Sequence, residues 1–276
     1  MGCPDWPKCF GRWIPPTNIN QVPEIYIEKF NIVLAWVEYI NRLFGAVVGL
    51  VILLSCFFAY LYFKKNKHIY IPILMALILT IIEGWLGSML VHTVLDPITI
   101  TLHLLLALII IGLIIYSSIR AYIVIKGNFE LNSNYPQRIK WLIYSLMTCM
   151  VIEIIIGTEI RGALDMSRKD YPLIEGAILL KMLGSFKYAH TILGILLISI
   201  TYYLRKILIN LELSCSRLML FSVNSMFVIF FLQILSGEFL VFFDVRPVIQ
   251  LFHMWFSSLL IGLGVVQYTC FKISKI

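Results

Sequence analysis

The chain has 276 residues, of which 60% are hydrophobic and 13% charged, with a formal net charge of +7 and a mean hydropathy of +0.91. A soluble domain carries about 25% charged residues, so this composition excludes one and describes an integral membrane protein in contact with lipid. The basic excess is read as a topology signal, which leaves no role for a nucleic-acid partner.

In chain order, residues 1–34 form an outer cap segment. Pro4, Pro7, Pro15, Pro16 and Pro23 resist a long helix there, and the polar opening rich in Pro, Trp and Cys does not read as a signal peptide. Crossing a bilayer takes about 20 apolar residues. Runs of that length at 36–61, 70–92, 98–120, 139–160, 186–208, 217–240 and 247–270 predict an all-α fold of seven spans. A short amphipathic helix is expected around Leu173 to Leu183, on the outer surface. With the N-terminus outside and the C-terminus cytoplasmic, Lys64, Lys65, Lys67, Arg120, Lys126, Arg138 and Lys140 fall on the cytoplasmic side. Asp5, Glu24, Glu28, Asp96, Asp165, Asp170, Glu175 and Asp244 then lie outside, against Glu130 and Glu212 in cytoplasmic loops.

The spans repeat. His103 and His253 are 150 residues apart, and the same offset pairs Glu83 with Gln233, Gly87 with Gly237, Pro97 with Pro247 and Gly112 with Gly262. With an offset of 149, EYINRLFG from Glu38 to Gly45 lies over KYAHTILG from Lys187 to Gly194, setting Asn41 opposite His190. The chain is therefore read as an internal duplication of two pseudo-symmetric helix bundles. Its divisions are an N-terminal bundle at 35–126, a cytoplasmic linker at 127–138 and a C-terminal bundle at 139–276. The offset is four helices, so the repeat keeps its direction in the membrane.

Asn41, His103, His190 and His253 are each expected about four to six residues into a helix entering from outside, at one depth. Polar groups inside a bilayer are costly and point to function, and imidazoles facing each other from two helices of a bundle can hold a heme iron. The alternative is a histidine hydrogen-bonded to a neighbouring helix. Glu83 and Glu153 lie deeper in their spans, and the match of Glu83 with Gln233 reads as a polar contact between helices.

GCPDWPKCFGRWIPP in the outer segment, EYINR in the first span, TLHLLLAL in the third, IIGTEIR in the fourth, and QILSG with QLFHMW in the last two resemble the heme A synthase family. The likeness extends over nearly the whole chain. It implies a bacterial inner-membrane oxidoreductase of two four-helix bundles that converts heme O to heme A by oxidising a ring methyl to a formyl, for the assembly of terminal cytochrome oxidases. It further implies heme b as cofactor with His190 and His253 as its axial ligands in the C-terminal half, and heme O as substrate near Asn41 and His103 in the N-terminal half. The family motif has histidine where this chain has Asn41, an amide that is a poor iron ligand beside imidazole. Other implied partners are an electron donor of unspecified identity, the farnesyltransferase that makes heme O, and further copies of the chain in a homo-oligomer.

Within that resemblance Glu38 is the candidate catalytic residue. It precedes Asn41 by three and shares its helix face, and a carboxylate at a heme edge can move protons; the alternative is an interfacial Glu38 paired with Arg42. Arg42 and Arg161 are candidates for heme propionates, with snorkelling as the alternative for Arg161. Paired outer cysteines form a disulfide in some members of the family, which leaves a Cys3–Cys9 bond and two free thiols both open here; their spacing does not fit a zinc site. The family normally has one further span before the first read here, so a shortened chain is the expectation. The competing reading of the whole is a non-catalytic bis-histidine heme b protein, an electron carrier or a heme-handling assembly factor, with Asn41 marking a lost site. A small transporter is a third reading, disfavoured because no helix is broken at the midplane.

Overall fold

A computed structural model describes residues 2–93, 96–126, 136–171, 173–211 and 217–273. The fold is all-α, with no strand among the described residues, and seven of its helices are long and apolar enough to cross a membrane. They are α1 (Ile32–Phe63), α2 (Lys67–His92), α3 (Pro97–Lys126), α4 (Gln137–Asp170), α6 (Phe186–Asn210), α7 (Arg217–Phe242) and α8 (Pro247–Ile273), with the short α5 (Gly176–Met182) between α4 and α6. Helices are the natural solution here, because each satisfies its own backbone where no water is available. The outward side chains are correspondingly large and apolar, Phe44, Phe57, Trp85, Phe231 and Trp255 among them.

Local chemistry sets the helix starts. Asn31 accepts a hydrogen bond from the Leu34 amide at 3.1 Å and Asn66 one from the His68 amide at 3.2 Å, each satisfying a first-turn donor. Asp96 does the same for the Thr99 amide at 3.0 Å, just before Pro97 at the first helical position. Because of the Asn31 cap, α1 begins at Ile32, four residues before the apolar run. Asn41 therefore lies nine residues along its helix, further from its start than expected, whereas His103, His190 and His253 lie six, four and six residues from the starts of theirs.

The chain divides into two compact units, one ending at Ser117 and the other beginning at Ser118. In the first, Ile52, Ala76 and Ile110 bring α1, α2 and α3 to one cluster, and the buried Ser117 hydroxyl donates to the Ile69 carbonyl at 2.8 Å. The N-terminal segment is an ordered cap on the same unit: Cys3, Cys9, Phe10 and Val22 pack against Ala35 of α1, with Tyr26 and Phe30 around them. The Asp5 carboxylate accepts from the Phe10 and Gly11 amides at 2.6 and 2.8 Å; Gly11 sits at φ +76°, where a side chain is disfavoured.

In the second unit, the fully buried Gln267 of α8 donates from Nε2 to the Met219 carbonyl and the Ser222 hydroxyl of α7, both at 2.7 Å. Leu179 of α5 packs with Leu164 and Val245, seating this short helix on the ends of α4 and α7. That helix falls within the stretch expected for it, although it is only seven residues long. The linker read at 127–138 lies mostly outside the described residues, as do Glu130 and Glu212.

Candidate functional site

Each of three intramembrane histidines meets the same arrangement on a neighbouring helix: a Glu or Gln, and one turn further a Gly. On α3, His103 Nδ1 lies 3.2 Å from Glu83 Oε1 of α2, and a Cβ at Gly87 would stand 3.5 Å from His103 Cε1. On α6, His190 Nδ1 lies 3.2 Å from Glu153 Oε1 of α4, and a Cβ at Gly157 would stand 3.2 Å from His190 Cε1. On α8, His253 has Ser236 Oγ of α7 at 2.9 Å from Nδ1 and Gln233 Nε2 at 3.1 Å from its own Nε2. A Cβ at Gly237 would stand 3.4 Å from His253 Cε1. The glycines let the helices approach closely enough for the rings to rest on backbone.

The two histidines of the second unit face each other. Their ring centroids are 6.3 Å apart and the ring planes are inclined by 55°. A first-row metal takes imidazole nitrogen at about 2 Å, so two axial imidazoles stand with centroids about 6 Å apart across it. The spacing therefore fits one iron between His190 and His253. His190 Nδ1 is buried beside Glu153 Oε1 without an aligned hydrogen bond. Arg161 on α4 adds a guanidinium to the same unit, with Nη1 3.3 Å from Met254 Sδ, next to His253, and Nε 3.7 Å from Asp165.

In the first unit the cap is fastened to α1. Cys3 and Cys9 are joined by a disulfide, and the Cys3 amide donates to Glu38 Oε2 at 2.8 Å. Glu38 Oε1 pairs with Arg42 Nη2, and Arg42 Nη1 donates to the Asp5 and Lys8 carbonyls, both at 2.9 Å. The interfacial Glu38–Arg42 pair weighed from sequence is thus present, and the same carboxylate also holds the cap. Asn41 is exposed on α1, one turn beyond Glu38.

Sequence reasoning treated Glu83 as a contact between helices; it is one, and the group it meets is His103. Glu153 is marked in the sequence by its depth in the span but without a partner, and Gly157, Ser236 and the facing role of Gln233 were missed. The signal was present as a pentapeptide: EGWLG from Glu83, EIIIG from Glu153 and QILSG from Gln233 each carry Glu or Gln four residues before Gly.

Comparison with known proteins agrees with this architecture. The family model described as COX15-CtaA, cytochrome oxidase assembly protein, matches residues 1–265. The heme A synthase of Ehrlichia canis is 24% identical, covering 92% of this chain and 77% of that protein. That of Wolbachia pipientis from Culex pipiens is 28% identical, covering 83% and 71%. That of Exiguobacterium sibiricum is 25% identical, covering 99% and 87%. No solved structure matches the chain. A match running from the disulfide cap into the last of seven membrane helices places the chain in the heme A synthase (COX15-CtaA) family of integral membrane oxidoreductases.

Proposed function

We propose that the protein converts heme O to heme A, with a b-type heme held between His190 and His253. The observation that carries this reading is the facing pair itself, two imidazoles at iron-spanning distance in one unit, in a chain whose residues 1–265 match the family. When bound, heme b supplies one-electron transfer. Arg161, beside Met254, is the guanidinium best placed to take a propionate of that heme.

The substrate belongs to the first unit. His103 would hold the iron of heme O, and Asn41 would not supply a second strong protein ligand, because an uncharged amide oxygen competes poorly with imidazole for iron. Two successive hydroxylations of the ring methyl each consume one dioxygen, two electrons and two protons and release one water. The resulting hydrated aldehyde loses water to give the formyl. Glu38, half-buried at the top of α1, moves protons for these steps. Arg42 orients it through their ion pair, which leaves the propionate role of Arg42 secondary to that of Arg161.

The N-terminus lies outside and the C-terminus in the cytoplasm of a bacterial inner membrane. A disulfide in the cap supports that orientation, because such bonds persist in oxidising compartments. The enzyme that makes heme O, an electron donor and other copies of this chain are the partners in this reading.

The replacement of a family histidine by Asn41 favours one competing reading, a heme b protein that no longer oxidises heme O. Co-expression with a heme O source, followed by extraction and mass analysis of the purified protein's hemes, separates the two. Heme A or its hydroxylated precursor beside heme B is the expected result. Heme B alone assigns the protein to the non-catalytic class.

A further inference from the structure

The recurring Glu-x-x-x-Gly element does more than pack helices. In both units one histidine has a carboxylate partner: Glu83 for His103 and Glu153 for His190, each with Oε1 3.2 Å from Nδ1. The atoms left over in these pairs are notable. Nδ1 of His103, Nδ1 of His190, Oε2 of Glu83 and Oε2 of Glu153 are all buried without an aligned hydrogen bond, a costly condition in a low-dielectric interior. At 3.2 Å each pair is already within hydrogen-bond distance, so the rotation of the ring decides whether the bond is aligned. Space for that rotation is shaped from two sides, by Gly157 against His190 Cε1 and by Gly194, where a Cβ would lie 3.4 Å from Glu153 Oε1. His253 differs, since its partners are the neutral Ser236 and Gln233.

We propose that Glu83 and Glu153 are positioning residues for the axial histidines: each accepts a hydrogen bond from Nδ1–H, which fixes the tautomer with Nε2 free for iron, while Gly87 and Gly157 set the rotation of the ring. The inference rests on the reading of His103 and His190 as iron ligands. Its physical basis is general, because a metal-bound histidine is oriented by whatever receives its second N–H. The two units thereby share one device, an acid-backed imidazole, for two different hemes. The bis-histidine site pairs an acid-backed ligand, His190, with one whose Nδ1 is backed by the neutral Ser236, His253, while Gln233 Nε2 lies on the other ring nitrogen of His253.

The test uses full-length protein purified with heme b, comparing wild type, Glu153→Ala, Glu153→Gln, Gly157→Ala and His190→Ala. Heme retention is measured together with the low-spin electron paramagnetic resonance signal, whose position follows the orientation and basicity of the axial rings. Glu153→Ala is expected to weaken heme retention by about 10-fold or more and to shift the signal. Glu153→Gln, which can still accept from Nδ1–H, is expected to recover most of both. Gly157→Ala keeps the carboxylate but presses on the ring, and its signal is expected to move as well; it serves if Glu153→Ala does not fold. A wild-type signal in both Glu153→Ala and Gly157→Ala overturns the proposal, as does a Gln variant that behaves like the Ala variant. His190→Ala is read separately: a bis-histidine signal that survives it overturns the ligand reading itself, whatever the Glu153 variants do.

Discussion

Glu38 combines two demands on one carboxylate: it anchors the disulfide cap through the Cys3 amide and pairs with Arg42. If it also moves protons for the oxidation, Glu38→Ala will lower heme A formation by about 100-fold or more, the usual contribution of a general acid or base, while leaving heme b bound. Quantifying extracted heme A against heme B checks this, and an unchanged ratio removes Glu38 from the chemistry. The four duplicated positions were legible in sequence, because an internal repeat marks equivalent sites without any knowledge of rotation about a helix axis; Glu38, opposite Lys187 in that repeat, was singled out only through the family resemblance and its spacing from Asn41. What faces them was not legible. Twenty residues separate Glu83 from His103 and Gln233 from His253, a distance along the chain that gives depth but not the azimuth at which α2 meets α3 or α7 meets α8.

At the scale of elements, the spans were readable because lipid imposes a length and an apolar composition. Their ends were not, since these depend on capping and on what stops a helix. α4 continues past the apolar run to Asp170; the Arg161–Asp165 pair is compatible with helix, and the sequence offers no breaker before Pro172, which disfavours helix in the residue preceding it. Between helices, buried amides provide the polar fastening. Gln267 is the clearest case, joining α8 to both Met219 and Ser222 of α7. Its replacement by Ala removes two hydrogen bonds and leaves a cavity, so the protein in detergent is expected to lose about 1–3 kcal/mol of stability. Thermal unfolding followed by circular dichroism measures the loss, and an unchanged midpoint means that this contact carries no stability.

For the whole molecule, duplication explains why a single chain contains two related arrangements that have diverged. The second unit presents His190 and His253 as a facing pair; the first retains His103 with Glu83 and Gly87, and the sequence repeat sets Asn41 where the second unit has His190. A site with two imidazoles is saturated and suits electron transfer, whereas one with a single imidazole leaves a coordination position for chemistry. The orientation in the membrane is tested through the cap. In intact spheroplasts, an impermeant reductant followed by an impermeant maleimide is expected to label Cys3 and Cys9, and no label is expected without reduction. Labelling confined to inverted vesicles contradicts the proposed orientation.

The central claim is that the two histidines of the second unit hold a b-type heme between them. Its most direct test is the reduced-minus-oxidised optical spectrum of the purified protein beside those of His190→Ala and His253→Ala, with heme content measured on each sample. A six-coordinate low-spin spectrum in the wild type, lost or converted to high spin in both variants, is the predicted result. A low-spin heme b that survives either substitution unchanged contradicts the account, because iron would then have ligands other than the pair on α6 and α8.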